Sequence, residues 1–352
     1  MNLSPATKSY LLGDLLSKVS RSFYLTLSIL PVSVRTQVGL AYLFARAADT
    51  ITDTDLIEQS ERLIHLKNFQ KLFTLETIDW EIVQSIQLAL VSHQALPAER
   101  ILLEKLEDCF RVYLECEYPD QVRIRDLMTT LTKGMKMDLT IFQGGTTENP
   151  LPLGTQEDLN RYTYYVAGCV GEYWTNLMCA HLSSLNHWDV KQMSSIGINF
   201  GKGLQLTNII KDVAKDLRRG RCYIPETLLK STGLTSSDIL QPESWPSFQP
   251  ILNKLIQQAM EYLDQGWDYT MAIPRSEIRL RLACMWPILF GGETLKLVQN
   301  SPNLLSPNYQ IKITRGCVYK IIGMTTITGG SGSVGTIYWK KLYNQVTKTY
   351  TA

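Results

Sequence analysis

Along most of the chain apolar residues recur at three- and four-residue spacing, and alternating stretches between glycine-rich turns are nearly absent until the C-terminal end. The pattern predicts an all-α protein. Breakers fall at Pro31, Pro97, Pro119, the run "GGTTENPLPLGT" (144 to 155), Pro225, "QPESWPSFQP" (241 to 250), Pro274 and "NSPNLLSPN" (300 to 308). Thr155 followed three residues later by Asp158 forms a capping box for the helix "EDLNRYTYYVAGCVGEYWTNLMCAHL". None of these breaks reads as an interdomain linker. A single helical domain is therefore expected over residues 1–300, followed by a C-terminal extension, 301–352, with "YQIKITRGCVYKII" and the flexible-looking "GGSGSVG". Beyond about residue 325, flexible, membrane-touching and strand-forming readings all fit. No repeat of fixed length suggests a solenoid.

Composition narrows the class. The 352 residues are 45% hydrophobic and 19% charged, as in ordered globular proteins, and the formal charge of +2 gives no global field for nucleic acid. Seven cysteines without a CxxC pair read as reduced and mostly buried. The N-terminus shows no signal-peptide pattern, and no segment offers about 20 uninterrupted apolar residues. A cytoplasmic protein is expected, with peripheral membrane contact compatible.

The candidate chemistry lies in two segments, "ARAADTITD" (45 to 53) and "NIIKDVAKD" (208 to 216). In each, two aspartates four apart share one helix face, where like charges repel by roughly 0.2–0.5 kcal/mol when exposed and by more where water is scarce. Asp49 follows "VGLAYLFARAA", a run apolar on nearly every side, so its carboxylate is expensive unless a cation binds it. Asn208 and Gln205 extend the second stripe of hard oxygen donors, which suits Mg²⁺ carrying water and phosphate oxygens. Zinc is disfavoured, with no His or Cys at the right spacing. Arg21, Arg46, Lys211 and Arg221 have the charge to neutralise a diphosphate. A solvated, salt-bridged helix is the alternative, with Lys211, Lys215, Arg218 and Arg219 as partners and Arg46 bridged locally to Asp49 or Asp53.

"SRSFYLTLSILP", "AYLFARAADTITD", "YTYYVAGCVGEYW" and "FGKGLQLTNIIKDVAKDLRRGRCYIP" together resemble the squalene and phytoene synthase family, head-to-head prenyl transferases of the isoprenoid synthase fold. The likeness runs over about residues 17 to 290. It implies a single-domain helical bundle with a central cavity, the two acidic pairs facing each other at its mouth. On matching positions it implies metal ligands at Asp49, Asp53, Asn208, Asp212 and Asp216, and diphosphate held by Arg21, Arg46, Lys211 and Arg221. Ser20, Ser22, Phe23 and Gln205 would join the substrate site, with Tyr42 and Tyr165 near the reacting carbons. Lys211 stands where the family usually has arginine, which keeps charge but loses the bidentate fork. Ionising an allylic diphosphate also requires excluded water and aromatic faces for the carbocation. Phe23, Tyr42, Tyr162, Tyr165, Ala167, Gly168 and Gly171 are candidates to line a channel for prenyl tails, with core packing as the alternative.

Within the family, "LACMWPILFGGETL" (282 to 295) and "YQIKITRGCVY" (309 to 319) look like segments of squalene synthases. Lys312 and Arg315 resemble basic residues that contact NADPH phosphate there, although Thr314 interrupts the usual basic pair and no GxGxxG fingerprint is present. The resemblance thus implies a soluble, bacterial-type squalene synthase of sterol or hopanoid biosynthesis. It would condense two farnesyl diphosphates through presqualene diphosphate, use Mg²⁺, and reduce with NADPH. Phytoene or dehydrosqualene formation without NADPH is the alternative; a non-catalytic helical binding protein and a terpene cyclase of the same fold are the readings from further away.

Overall fold

The computed structural model describes residues 3–20, 23–53, 57–307, 309–328 and 332–347. Nearly all described residues in regular structure are helical, and they cluster into two compact units: residues 1–139 with 173–186, and 140–172 with 187–352.

The first unit is organised around the Val32–Asp53 helix. Phe44 is fully buried, with the rings of Phe69, Phe73, Phe110 and Tyr113 at centroid distances of 6.4, 5.0, 4.7 and 6.1 Å. Those partners come from three regions of chain: the end of the Gln59–Leu72 helix, Phe73 just after it, and the Leu106–Glu115 helix. Aromatic pairs of this kind add about 0.5–1.5 kcal/mol each beyond their burial. Phe44 lies two residues from both Tyr42 and Arg46, nearly half a turn round the helix. Burying it therefore turns Tyr42, Arg46 and Asp49 outward. The far side of the unit is tied by Asp120, which is buried and accepts from Gln37 (2.9 Å), Arg123 (2.7 Å) and His181 (2.9 Å).

In the second unit the Val190–Arg218 helix packs along Trp245–Ala272, with Gly203 against the Cβ of Tyr262 and Gly266 against the ring of Phe200. The expected capping box is present: the Thr155 hydroxyl accepts from the Asp158 amide at 3.2 Å, and Asp158 accepts from the Thr155 amide at 2.9 Å. The helix it opens contains one π-helical turn, Tyr164–Gly168. Two short strands, β1 (Leu151–Leu153) and β2 (Arg221–Pro225), pair in parallel with a bulge between Pro152 and Leu153.

Two expectations change. The run 241 to 250 does not keep a helix out, because Trp245–Ala272 starts within it: Pro246 sits in the first turn, where no intrahelical donor is needed. Pro250 forgoes a single bond, outweighed by a buried face of Phe248, Ile251, Leu252 and Leu255. The strand reading of the tail also fails, since Arg315–Ile327 and Gly332–Thr347 are helices. Gly335, Trp339, Leu342 and Val346 form one buried stripe on the latter, and Trp339 stacks on Trp267 at 5.8 Å and donates to Asp264 at 2.7 Å. Of "GGSGSVG", residues 329–331 lie outside the described residues, while the rest begins the last helix.

Candidate active site

Between Val38 and Thr52 of the first acidic helix only Tyr42, Ala45, Arg46 and Asp49 are not buried. With exposed Asp53, the spacing 42, 46, 49, 53 sets Tyr42, Arg46 and both aspartates on one stripe. The Arg46 guanidinium donates to Asp49 at 3.0 Å and also pairs with Glu99. About half of the Asp49 side chain meets solvent, yet desolvation by the surrounding protein, and then the neighbouring charge of Asp53, push its carboxyl up to about 6 against the pull of Arg46. The repulsion read from the sequence is therefore present and only partly compensated. Phe23, 47% exposed, lies 6.4 Å from the Tyr42 ring, so this stripe continues into an aromatic patch.

Glu99 is the residue that sequence reading missed. It belongs to the Pro97–Glu104 helix, 53 positions from Arg46, and is 7% exposed. A signal was present: in "PAERILLEKL", position 99 is in register with buried Leu102, Leu103 and Leu106, so an acid occupies a core position. A carboxylate so placed needs a cation, and Arg46 supplies it. The local Arg46–Asp49 bridge weighed from spacing also forms.

On the second acidic helix Gln205, Asn208, Asp212 and Asp216 share one face, bordered by buried Leu206, Ile209, Ile210, Val213 and Leu217. Asn208 is exposed, and Gln205, Asp212 and Asp216 are partly so. Lys211 pairs with Asp212 at 3.2 Å. The carboxyl of Asp216 is pushed up to about 7, first by desolvation and then by Asp212, with Arg221 opposing.

Backbone packing fixes the end of this helix. The amides of Arg219 and Gly220 donate to the carbonyls of Asp216 and Leu217, both at 2.9 Å. Gly220 then turns the chain at φ +77°, and any Cβ on it would collide with the backbone of Gly145. The Thr147 hydroxyl donates to the Arg218 carbonyl (2.7 Å), the Leu151 amide to that of Gly220 (3.0 Å), and the β1–β2 pairing carries Arg221 away in a fixed direction. Read from sequence as a breaker, "GGTTENPLPLGT" is the brace for this site.

Other expected residues fall differently. Ser20 is buried, and its hydroxyl donates to the Leu16 carbonyl. Arg21 and Ser22 lie outside the described residues. Tyr165 sits on the π-helical turn, its ring 5.9 Å from that of Tyr164, whose hydroxyl donates to Glu172 at 2.9 Å. Such turns concentrate at functional sites. Tyr162 is buried and stacked on Tyr223 at 4.8 Å, a core contact. Gly171 abuts the Gly197 carbonyl, and Gly201 that of Ala167, so these small residues make a backbone-to-backbone helix crossing. Lys312 and Arg315 are exposed at the start of the Arg315–Ile327 helix, where Thr314 is the N-cap, accepting from the Cys317 amide at 3.2 Å. All seven cysteines are free.

Among the described residues no group of three or more His, Cys, Asp or Glu side chains could enclose a metal. Each stripe supplies two carboxylates. That donor set fits Mg²⁺, which takes one or two protein ligands and completes its shell with water and phosphate oxygens.

The sequence model of the family described as "Squalene/phytoene synthase" matches residues 16–317. The chain belongs to that family. It is 26% identical over 345 residues to the squalene synthase of Cyberlindnera jadinii, covering 97% of this chain and 73% of that one. It is also 26% identical over 266 residues to a bifunctional lycopene cyclase/phytoene synthase of Colletotrichum graminicola, covering 75% of this chain and 42% of the relative. It thus spans less than half of that relative's length. Among solved structures, TcSQS in complex with the ligand BPH1237 superposes with a TM-score of 0.73 at 21% identity, over 97% of this chain and 98% of that one, which establishes the shared helical fold. The family match thus spans most of the chain, both acidic stripes included.

Proposed function

We propose that the enzyme is a squalene synthase, joining two farnesyl diphosphates head to head through presqualene diphosphate and reducing the product with NADPH. The observation that carries the reading is the pair of oxygen-donor stripes, each on a helix face bordered by buried apolar residues and each next to a cation, in a chain of this family. Asp49 and Asp53, and Asp212 and Asp216 with Asn208, are the metal ligands; Arg46, Lys211, Arg221 and Arg21 hold diphosphate; Tyr42, Phe23 and Tyr165 face the reacting carbons, with Gln205, Ser20 and Ser22 completing the substrate site. Bound Mg²⁺ would neutralise the departing diphosphate. The protein's own part is to hold Arg46 rigidly through Glu99, to present apolar and aromatic surface to the cation, and to keep Asp216 and Arg221 in register through the glycine brace.

The long match to the squalene synthase of C. jadinii runs through most of the tail, which supports assigning the NADPH phosphate to Lys312 and Arg315. The shorter match to phytoene synthase supports the second reading, phytoene or dehydrosqualene formation. Incubating the purified protein with farnesyl diphosphate and Mg²⁺, with and without NADPH, and identifying the lipid by mass spectrometry separates the two. Squalene only with NADPH is expected; a conjugated triene formed regardless of NADPH overturns the assignment.

A further inference from the structure

The Tyr164–Gly168 turn interrupts its helix with pairing between residues five apart, a rare geometry in helices. Its surroundings explain how it persists. On an uninterrupted α-helix, residues eight apart point about 80° away from each other. The extra residue of a π turn brings such a pair to within about 20° of one line, as for residues seven apart. Tyr164 and Glu172 are eight apart and flank the turn, Glu172 lying in the following helix, Cys169–His181. They meet: the Tyr164 hydroxyl donates to the Glu172 carboxylate at 2.9 Å. Ordinary α-helical winding between them would swing the two groups apart, so the bond and the turn support each other.

Other contacts fit this staple. Gly168 leaves room for the ring of Tyr164, since a Cβ there would stand 3.1 Å from its Cδ2. The buried Cys169 thiol donates to the Tyr165 carbonyl at 3.0 Å and holds the main chain within the same turn. Desolvation first, and then Glu172, push the Tyr164 hydroxyl up to about 12, so it remains a donor at neutral pH. The turn itself is seated on the second acidic helix: a Cβ on Gly201 would collide with the Ala167 carbonyl, and Gly201 lies one turn before Gln205 of the oxygen-donor stripe. Tyr165 stands between the stapled Tyr164 and this seat, its ring 5.9 Å from that of Tyr164. Relaxing the turn to α-helix would rotate Tyr165 by about 100°, one residue's worth, relative to the chain that follows.

We propose that Glu172, acting through Tyr164, is a positioning residue that staples the π turn and so aims Tyr165 at the reacting carbons. This role rests on the functional reading of Tyr165 given above. Amide hydrogen exchange of the full chain without substrate, followed by mass spectrometry, reads the turn; diphosphate release from farnesyl diphosphate with Mg²⁺ reads kcat and KM. In Tyr164→Phe and in Glu172→Leu the amides of residues 164–170 should exchange about tenfold faster, through loss of a hydrogen bond to a charged group, without a general rise elsewhere. In both, kcat should fall about tenfold while KM stays within about twofold, as for a group that acts in the transition state. The double variant should be no worse than either single one, since each removes the same bond. Glu172→Gln still accepts from the hydroxyl and should keep exchange and kcat within about threefold of the native chain. The proposal fails if the turn of Tyr164→Phe exchanges at the native rate, if exchange rises throughout the chain, if the turn loosens while kcat holds, or if Glu172→Gln is as impaired as Glu172→Leu. Tyr165→Phe tells the two failures apart: native kcat in that variant overturns the reading of Tyr165 and the positioning role with it, whereas native exchange in Tyr164→Phe overturns the staple alone.

Discussion

The two acidic helices carry the same motif and hold it by opposite means. On Val32–Asp53 the geometry rests on side chains: Phe44 in its aromatic cage turns the stripe outward, and buried Glu99 clamps Arg46 beside Asp49. On Val190–Arg218 it rests on main chain: Gly145 against Gly220, a hydroxyl on the Arg218 carbonyl, and a two-strand ladder leading to Arg221. The first arrangement preorganises charge, which strengthens electrostatics where water is scarce. The second preorganises direction. Side-chain clamping thus fixes a cation on one helix, and main-chain packing fixes the helix end on the other.

The comparison breaks first at the shared feature. Asp49→Asn and Asp212→Asn should each lower kcat/KM for farnesyl diphosphate about a thousandfold, roughly 4 kcal/mol, with an unchanged helical spectrum; similar activity in either variant would remove that stripe from the chemistry. Next come the two supports. Gly220→Ala should cost about 2–4 kcal/mol of stability, from left-handed backbone strain plus collision with Gly145, seen as a lowered denaturation midpoint. Glu99→Gln should cost about 1–3 kcal/mol and weaken diphosphate binding, since glutamine keeps a hydrogen bond to Arg46 but not the charge; inorganic diphosphate titrated calorimetrically reads this directly. If Glu99 merely fills the core, diphosphate affinity will not move.

A smaller effect is expected from pH. The carboxyls of Asp49 and Asp216 lie at about 6 and about 7, above the value of about 3.9 in an unfolded chain, so the folded state binds protons more tightly. Metal-free stability should therefore fall as pH rises from about 4 to about 7 and level off above that. Thermal midpoints at pH 5 and pH 8 measure the drop, which Asp49→Asn or Asp216→Asn should flatten and Mg²⁺ with diphosphate should offset at pH 8. The smallest change expected is from Lys211→Arg, which restores the bidentate fork for phosphate and should alter KM by only a few-fold.

The all-α fold and both stripes were legible because helical spacing alone fixes which residues share a face. The capping box at Thr155 was legible for the same local reason. What stayed hidden depends on partners distant in sequence: Glu99 sits 53 residues from Arg46, and its only signature is an acid in register with leucines. The brace at 144 to 155 looked like a breaker since glycine and proline mark a departure from helix without saying what the departing chain touches. The tail helix was masked by "GGSGSVG", although the spacing of Trp339, Leu342 and Val346 carried its buried stripe.

The crossing of Gly171 with Gly197 and of Gly201 with Ala167 has a consequence for anyone seeking to change product length. Because carbonyls already occupy the space where a Cβ on Gly171 or Gly201 would go, enlarging either glycine would wedge two helices apart. Libraries aimed at the proposed prenyl site should leave those two glycines untouched and vary open-facing side chains such as Phe23 and Tyr42.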